Sequence, residues 1–183
     1  MPLAISFELS DADLAHFAAR MDEVRARASN TDETEILSAA NRILSSVSPA
    51  TQPEFVQRRL ERLERMIRML DDEEWKLGGE DRARIRGALA YVVEPHDMIA
   101  DDVPGLGFVD DALMIELVTR DLRHELDAYV DFCAYRQREE ERRGKSADPL
   151  TRERWLATRR AQLHERMRRR RSSLWEARLG RSS

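Results

Sequence analysis

The sequence predicts an all-α protein: a bundle of about six helices, with an acidic Pro/Gly loop between two antiparallel helices and a basic C-terminal helix. Charged residues make up 36% of the 183 residues and aromatics 6%, and Gly and Pro are few. That balance is typical of long helices with solvated faces. Apolar residues also recur three and four positions apart, the period of a helix buried on one side. A short strand at residues 3–9 is the only sheet element we expect.

Two helices are predicted in the first third of the chain. The first begins at Ser10, whose hydroxyl can cap it, and Asp11 and Asp13 lie near the positive end of its dipole. The second begins just after residue 30 and is interrupted at residues 48–52. The apolar faces are Leu14, Phe17, Ala18, Met21 and Val24 in the first helix, and Ile36, Leu37, Ala40, Ile43, Leu44 and Val47 in the second.

A long third helix is predicted to open near Pro53, an accepted first-turn residue, and to end at Gly78 or Gly79. Its apolar residues alternate four and three positions apart, as in a short coiled coil. They are Val56, Leu60, Leu63, Ile67 and Leu70. Two interpretations of this seam remain open, packing within the chain and self-association into a dimer.

The next two helices flank the acidic loop. The fourth covers residues 80–93 and is stopped by Pro95, which pushes the preceding residue out of the helical region. The fifth begins at Val109 or Asp110 and continues past Tyr135. Its predicted inner face is Leu113, Leu117, Leu122, Leu126, Tyr129 and Val130.

The loop itself, residues 95–111, combines turn residues with carboxylates. Pro104 and Gly105 fit the central positions of a type II turn, in which Gly supplies the positive φ. Asp110 can cap the fifth helix. These residues therefore have a structural explanation, a tight reversal between two antiparallel helices.

The loop also resembles the signature of the YkvA-like family, a domain of unknown function that reads approximately P-x-D-x-I-P-D-x-x-P-x-x-G-x-x-D-D-A. The matching residues are Pro95, Asp97, Ile99, Asp101, Pro104, Gly107, Asp110, Asp111 and Ala112. Ala100 replaces the usual Pro, and the resemblance covers roughly residues 85–135. Many members of the family are associated with membranes through apolar helices. In this chain Glu116, Arg120 and Asp121 interrupt the helix that follows, so we do not extend membrane insertion to it.

A cation site is the alternative interpretation of the loop. Asp97, Asp101, Asp110 and Asp111 crowd a reversal, and two carboxylates about 4 Å apart repel by roughly 4 kcal/mol at an effective dielectric near 20. Hard oxygen ligands favour Mg²⁺, Ca²⁺ or Mn²⁺. A bound cation would permit metal-dependent hydrolysis, whereas the structural interpretation assigns no catalytic residue and requires no cofactor.

Several other site classes are excluded by composition and spacing. Cys133 is the single cysteine, so an internal disulfide and a cysteine-rich zinc site are impossible. We interpret it as a buried structural thiol on a helical stripe. Dinucleotide-binding and phosphate-binding loops are absent, because the Gly105–Gly107 pair lacks a third glycine and a preceding strand.

Charge divides the chain into two parts. The net charge of −4 combines +8 in residues 150–183, from eleven Arg and three Glu, with −12 in residues 1–149. We therefore expect an acidic helical body at residues 1–143, a hinge at 144–149 and an Arg-rich amphipathic tail at 150–183. The tail's densest arginines are Arg166, Arg168, Arg169, Arg170 and Arg171, candidates for binding nucleic acid or an acidic protein or lipid surface. Docking on the acidic body is the competing interpretation.

The function predicted from these features is a non-enzymatic interaction or scaffold module with an unidentified protein partner. The two alternatives are the divalent-cation protein, acting as a hydrolase, and the nucleic-acid or acidic-surface binder. The chain carries no secretion signal and no apolar run of membrane-spanning length. We accordingly expect a cytoplasmic location.

Overall fold

The computed structural model describes residues 10–28, 31–47, 53–93, 109–143 and 148–179. Within those ranges the protein folds as seven helices without a strand: α1 (Asp11–Ala28), α2 (Glu33–Ser46), α3 (Glu54–Asp71), α4 (Gly79–Val92), α5 (Val109–Asp121), α6 (Arg123–Arg143) and α7 (Pro149–Leu179). The predicted all-α class is confirmed. The segment proposed as a short strand lies outside the described ranges.

The first helix begins at the predicted cap, Ser10, and the second begins at Glu33, two residues later than predicted. Ser10 and Asp13 cap α1 reciprocally, because the Ser10 amide donates to the Asp13 carboxylate at 2.8 Å and the Asp13 amide to the Ser10 hydroxyl at 3.2 Å. The carboxylate of Asp32 accepts the Thr34 amide at 3.1 Å at the start of α2. Each cap satisfies an amide that the helix leaves without a partner.

The third helix is shorter than predicted, because it ends at Asp71 rather than at Gly78 or Gly79. The carboxylate of Asp72 accepts the amides of Glu74 and Trp75 at 3.0 and 3.2 Å, so the chain leaves the helix in a side-chain-stabilised turn. This turn carries Trp75 into the core, where none of its surface is exposed.

The apolar seam of α3 packs within the chain. Its five residues are 0–7% exposed, and α3 lies against α2, α4 and α5. The intramolecular interpretation is therefore confirmed for this seam.

The helix after the loop is broken in two, where the sequence predicted one continuous helix. A turn at Leu122 separates α5 from α6. The predicted inner face is confirmed at Leu122, Leu126 and Tyr129, which are buried. It is wrong at Leu113 and Leu117, which are half-buried, whereas Ile115 and Val118 are fully buried. Apolar residues occur on most sides of α5, and the sequence therefore could not identify the buried one.

The long C-terminal helix packs against α6. Its buried residues, Trp155, Leu156, Leu163 and Met167, continue the core across α6. Residues 144–147 lie outside the described ranges, and the hinge and the division into body and tail remain predictions. The docked part of α7 nevertheless places its arginines in defined positions relative to the acidic helices.

Candidate functional site

The predicted cation site can be located only in part. Asp97 and Asp101 lie outside the described residues. Asp110 and Asp111 both lie in the first turn of α5, which begins at Val109, so Asp111 is where it was predicted but Asp110 lies inside the helix instead of capping it. Their side chains fall outside the description. Across the described part of the chain, no cluster of three or more His, Cys, Asp or Glu side chains is arranged to hold a metal ion. The metal site therefore stays a prediction.

The arginines of α7 are the second predicted site, and the structure divides them into two groups. Arg171 points inward, where its Nη1 donates to Asp81 Oδ1 of α4 at 2.7 Å and to Glu125 Oε1 of α6 at 3.0 Å. Both carboxylates are almost fully buried, with side chains 3% and 1% exposed. One guanidinium thus joins three helices at a buried acidic pair, which we call the Arg171 clamp.

The clamp keeps its charges balanced through a second cation. Arg84 of α4 lies 3.4 Å from Glu125 and 3.3 Å from Asp121 at the end of α5. Burial alone would lower the pKa of Arg171, but the bonds to Asp81 and Glu125 outweigh it, so its pKa is raised above the usual value. Arg171 therefore stays charged, as a buried carboxylate pair requires.

Other inward arginines of α7 hold the rest of the helix. Arg166 pairs with Asp131 of α6. Nearer the start of α7, Arg152 binds both oxygens of Glu74 at 2.6 and 3.2 Å, and Arg160 donates to the Glu74 carbonyl at 2.7 Å. The acidic turn after α3 thus provides the acceptor groups that bind the start of α7.

The remaining three candidates, Arg168, Arg169 and Arg170, are exposed to solvent. Arg169 lies 3.7 Å from Glu165 one turn earlier, and both side chains are about two-thirds exposed or more. Surface pairs of this kind contribute little, because water screens them and both side chains stay mobile. We call these three residues the outer arginines.

A further basic group adjoins them on α6. Arg123 Nε lies 3.3 Å from His124 Nε2. Burial, followed by the charges of Arg123 and Arg170, lowers the pKa of His124, whereas Glu125 and Asp127 act in the opposite direction. The positive field of the outer arginines therefore reaches the start of α6.

Sequence reasoning missed the polar cluster beneath the α3–α4 turn. Arg136 of α6 donates to Asp72 at 2.9 Å and to Glu74 at 2.9 Å, and the Tyr129 hydroxyl lies 3.0 Å from the Asp72 carboxylate. Burial raises the pKa of Tyr129, and the Cys133 and Asp72 charges add to that effect. The run of carboxylates marks Asp72 and Glu74 in the sequence as candidate polar-cluster residues. Their partners Tyr129 and Arg136 could not be inferred, because they lie about 60 positions away.

Trp75 and His164 form the other contact that the sequence did not reveal. The imidazole meets the indole edge-on, with ring centroids 4.3 Å apart. Burial lowers the pKa of His164, although Asp81 opposes the shift. His164 is therefore a core residue that packs α7 on the α3–α4 turn.

Cys133 lines an open groove of about 580 Å³ between α3 and α6, beside Arg65, Tyr129 and Val130. The thiol is half-buried rather than fully buried, and Val130, predicted to face inward, is 41% exposed. Burial raises the pKa of the Cys133 thiol. A thiol with a raised pKa is a poor nucleophile, which agrees with a structural role.

Comparison with known proteins identifies the middle of the chain. Residues 81–117 match a family model described as a protein of unknown function, DUF1232. An alignment of 69 residues with the uncharacterized membrane protein YkvA of Bacillus subtilis (strain 168) is 35% identical. This segment is YkvA-like. The alignment covers 34% of this chain and 63% of the relative, so the chain spans less than two thirds of the protein it resembles. No solved structure matched the chain.

The family segment, the residues 81–117 that the family model matches, contains one half of the Arg171 clamp. The match begins at Asp81 and includes Arg84, whereas Glu125 and Arg171 lie beyond it. The C-terminal helix is thus attached directly to the first helix of the family segment. Within the described residues, none of the helices is both long enough and apolar enough to cross a membrane.

Proposed function

We propose that this chain is a non-enzymatic helical interaction module that binds an anionic membrane surface through the outer arginines, Arg168, Arg169 and Arg170. The observation that carries the proposal is that the arginines of α7 fall into two groups, one facing the bundle and one facing solvent. Inward arginines bind carboxylates of the bundle, while the outer arginines are exposed on the same fixed helix.

The fixed position of α7 on the bundle favours binding through the outer arginines. Arg171 and Arg166 anchor α7 on both sides of the exposed group, through Asp81 and Glu125 and through Asp131. A surface fixed before binding loses less conformational entropy when the partner arrives. The outer arginines are therefore prepared for contact without further folding.

The choice of a lipid surface over nucleic acid is supported by two features. The outer arginines occupy three successive positions, so they rise only about 3 Å along the helix axis while spreading over about 200° around it. This short spread of charge suits clustered headgroups better than a long phosphate track. The relative YkvA is named a membrane protein. For this chain we propose peripheral binding at the cytoplasmic face, where each Arg near an anionic surface contributes about 1 kcal/mol.

The buried carboxylates have structural roles, which supports the proposal that the module is non-enzymatic. Asp72, Asp81 and Glu125 are each bonded to an arginine of another helix. A carboxylate held in this way stabilises helix packing and is poorly placed to exchange protons with a substrate. The hydrolase alternative depends on loop aspartates outside the described residues, and no described feature favours it.

Vesicle binding tests the proposal. Full-length protein is mixed with phosphatidylglycerol-containing vesicles and with pure phosphatidylcholine vesicles, at low and high salt. We expect binding to the anionic vesicles only, weakening with salt as the charges are screened. The Arg168→Gln/Arg169→Gln/Arg170→Gln variant should lose about 3 kcal/mol, on the order of 100-fold in affinity.

A control variant with the same loss of charge shows whether vesicle binding depends on the outer arginines themselves or only on the net charge of the protein. Arg58→Gln/Arg138→Gln/Arg142→Gln removes three exposed arginines from α3 and the end of α6. Equal weakening by both triple variants would reject a defined surface. Tight binding to duplex DNA or RNA without vesicle binding would reject the membrane partner.

A further inference from the structure

Two serines follow the arginine run directly. Ser172 and Ser173 are exposed on α7. The Ser172 hydroxyl donates to the Arg168 carbonyl at 3.1 Å, and the Ser173 hydroxyl donates to the Arg170 carbonyl at 3.0 Å. Both hydroxyls therefore lie back towards the turn that carries the outer arginines.

The helix spacing places each serine one turn from a pair of outer arginines. Ser172 follows Arg168 and Arg169 by four and three positions, and Ser173 follows Arg169 and Arg170 by four and three. Side chains at these spacings are neighbours on a helix surface. A phosphate on the two serines would reach all three guanidiniums.

The same arginines make the serines suitable acceptors for a kinase that selects basic substrates, since such enzymes discriminate by the charge pattern beside the acceptor. Access requires the end of α7 to open. Among the described side chains, Met167 is the last that is buried, and Arg171 is the last that ties the helix to the bundle. Ser172 and Ser173 lie beyond both of these contacts.

We propose that Ser172 and Ser173 form a phosphate-acceptor site that switches off the outer arginines. In the reaction, the serine Oγ attacks the γ-phosphorus of a nucleoside triphosphate. The bond between that phosphorus and the oxygen bridging to the β-phosphate breaks, and the nucleoside diphosphate leaves. The hydroxyl proton passes to the catalytic base of the kinase. The consequence for membranes rests on the proposed function, whereas the modification itself does not.

The charge balance explains the switch. Each phosphoserine carries about −1.5 to −2 at neutral pH, so two of them offset the three outer arginines. Charge-assisted bonds from guanidinium to phosphate also occupy the donors that would otherwise contact lipid headgroups. Phosphorylation therefore removes both the attraction and the contacts.

Site mapping tests the modification. Full-length protein is incubated with the catalytic domain of an arginine-directed serine kinase and ATP, and the products are mapped by mass spectrometry. Phosphate should accumulate first on Ser172 or Ser173, ahead of the exposed serines Ser38 and Ser45 of α2. Labelling of the α2 serines with none at the end of α7 would overturn the proposal.

A second measurement uses phosphoserine installed at position 172 during translation. Phosphorus NMR should show a second phosphate pKa lower than in the Arg168→Gln/Arg169→Gln background, because the guanidiniums favour the dianion. Identical titrations in the two backgrounds would contradict the arginine contact.

Vesicle binding then distinguishes the two proposals. If the unmodified protein binds anionic vesicles, phosphoserine should weaken binding at least about tenfold, and unchanged binding would reject the switch. If the unmodified protein does not bind, the proposed function fails. The mapping and the NMR titration then decide the acceptor site by themselves.

Discussion

Arg171 and Asp81 lie 90 positions apart in the sequence and are joined by a contact of 2.7 Å between guanidinium Nη1 and carboxylate Oδ1. Asp81 is 2% exposed and is the first residue that the family model matches. The same nitrogen reaches Glu125 at 3.0 Å. The C-terminal helix therefore completes a buried charge cluster that the family segment begins.

Loss of this contact should be costly. In an Arg171→Gln variant, Asp81 and Glu125 remain buried and only Glu125 keeps the described pairing with Arg84, and we expect about 3 kcal/mol of destabilisation. Urea unfolding at neutral pH measures it. The exposed neighbour Arg169→Gln is the control and should change stability by no more than about 0.5 kcal/mol. Equal effects of the two variants would show that the clamp contributes nothing beyond surface charge.

Trp75 should contribute as a core residue even though it lies in a turn. It is fully buried against Tyr129, Phe132 and His164. We expect Trp75→Ala to cost about 4 kcal/mol, from lost burial and a cavity. Trp75→Phe should cost much less, since the indole Nε1 finds no hydrogen-bond partner in the described structure and Phe removes that unpaired donor. Similar losses for both variants would contradict this explanation.

Stability should fall on mild acidification because of His164. Burial lowers its folded pKa below the ordinary value of 6.5, although Asp81 opposes the shift, while Arg168 and Arg160 reinforce it. The unfolded chain therefore takes up a proton first as pH falls through about 6.5, and stability is lost from there down to the folded pKa.

The comparison for this pH effect is His164→Phe, which keeps a ring against Trp75. Unfolding free energies from pH 8 to pH 5 should decline less steeply in the variant than in the wild type. Some slope should remain, because the pKa of His124 is also lowered by burial and by Arg123. Parallel pH profiles would rule out His164 as a source of the acid sensitivity.

The loop aspartates can be tested without knowing their geometry. On the structural interpretation, Asp101→Asn/Asp111→Asn lowers the melting temperature, and neither wild type nor variant responds to Mg²⁺, Ca²⁺ or Mn²⁺. A saturable rise of the wild-type midpoint with one ion, absent in the variant, would instead establish the cation site.

The parts of the fold set by local chemistry could be predicted. Ser10 marked the start of the first helix, and the α3 seam marked a buried face. The early end of α3 could not be predicted, because it depends on two tertiary features. The Asp72 side chain accepts the Trp75 amide and so ends the helix, and Trp75 packs against residues of α6 and α7.

The candidate site was predictable in composition but not in orientation. The five arginines were visible as a run. Arg171 follows Met167 by one helical turn, and this spacing indicates an inward position only once Met167 is known to be buried. Its partners could not be inferred, because Asp81 and Glu125 belong to other helices and look like ordinary surface carboxylates in the sequence.

The most direct test of the account compares the two groups of arginines in one experiment. Arg168→Gln/Arg169→Gln/Arg170→Gln and Arg166→Gln/Arg171→Gln are each assayed for melting temperature and, below that temperature, for binding to anionic vesicles. We expect the outer variant to keep its melting temperature and lose vesicle binding, whereas the inner variant should melt at a lower temperature than the wild type. Loss of stability in the outer variant with binding retained would contradict this expectation.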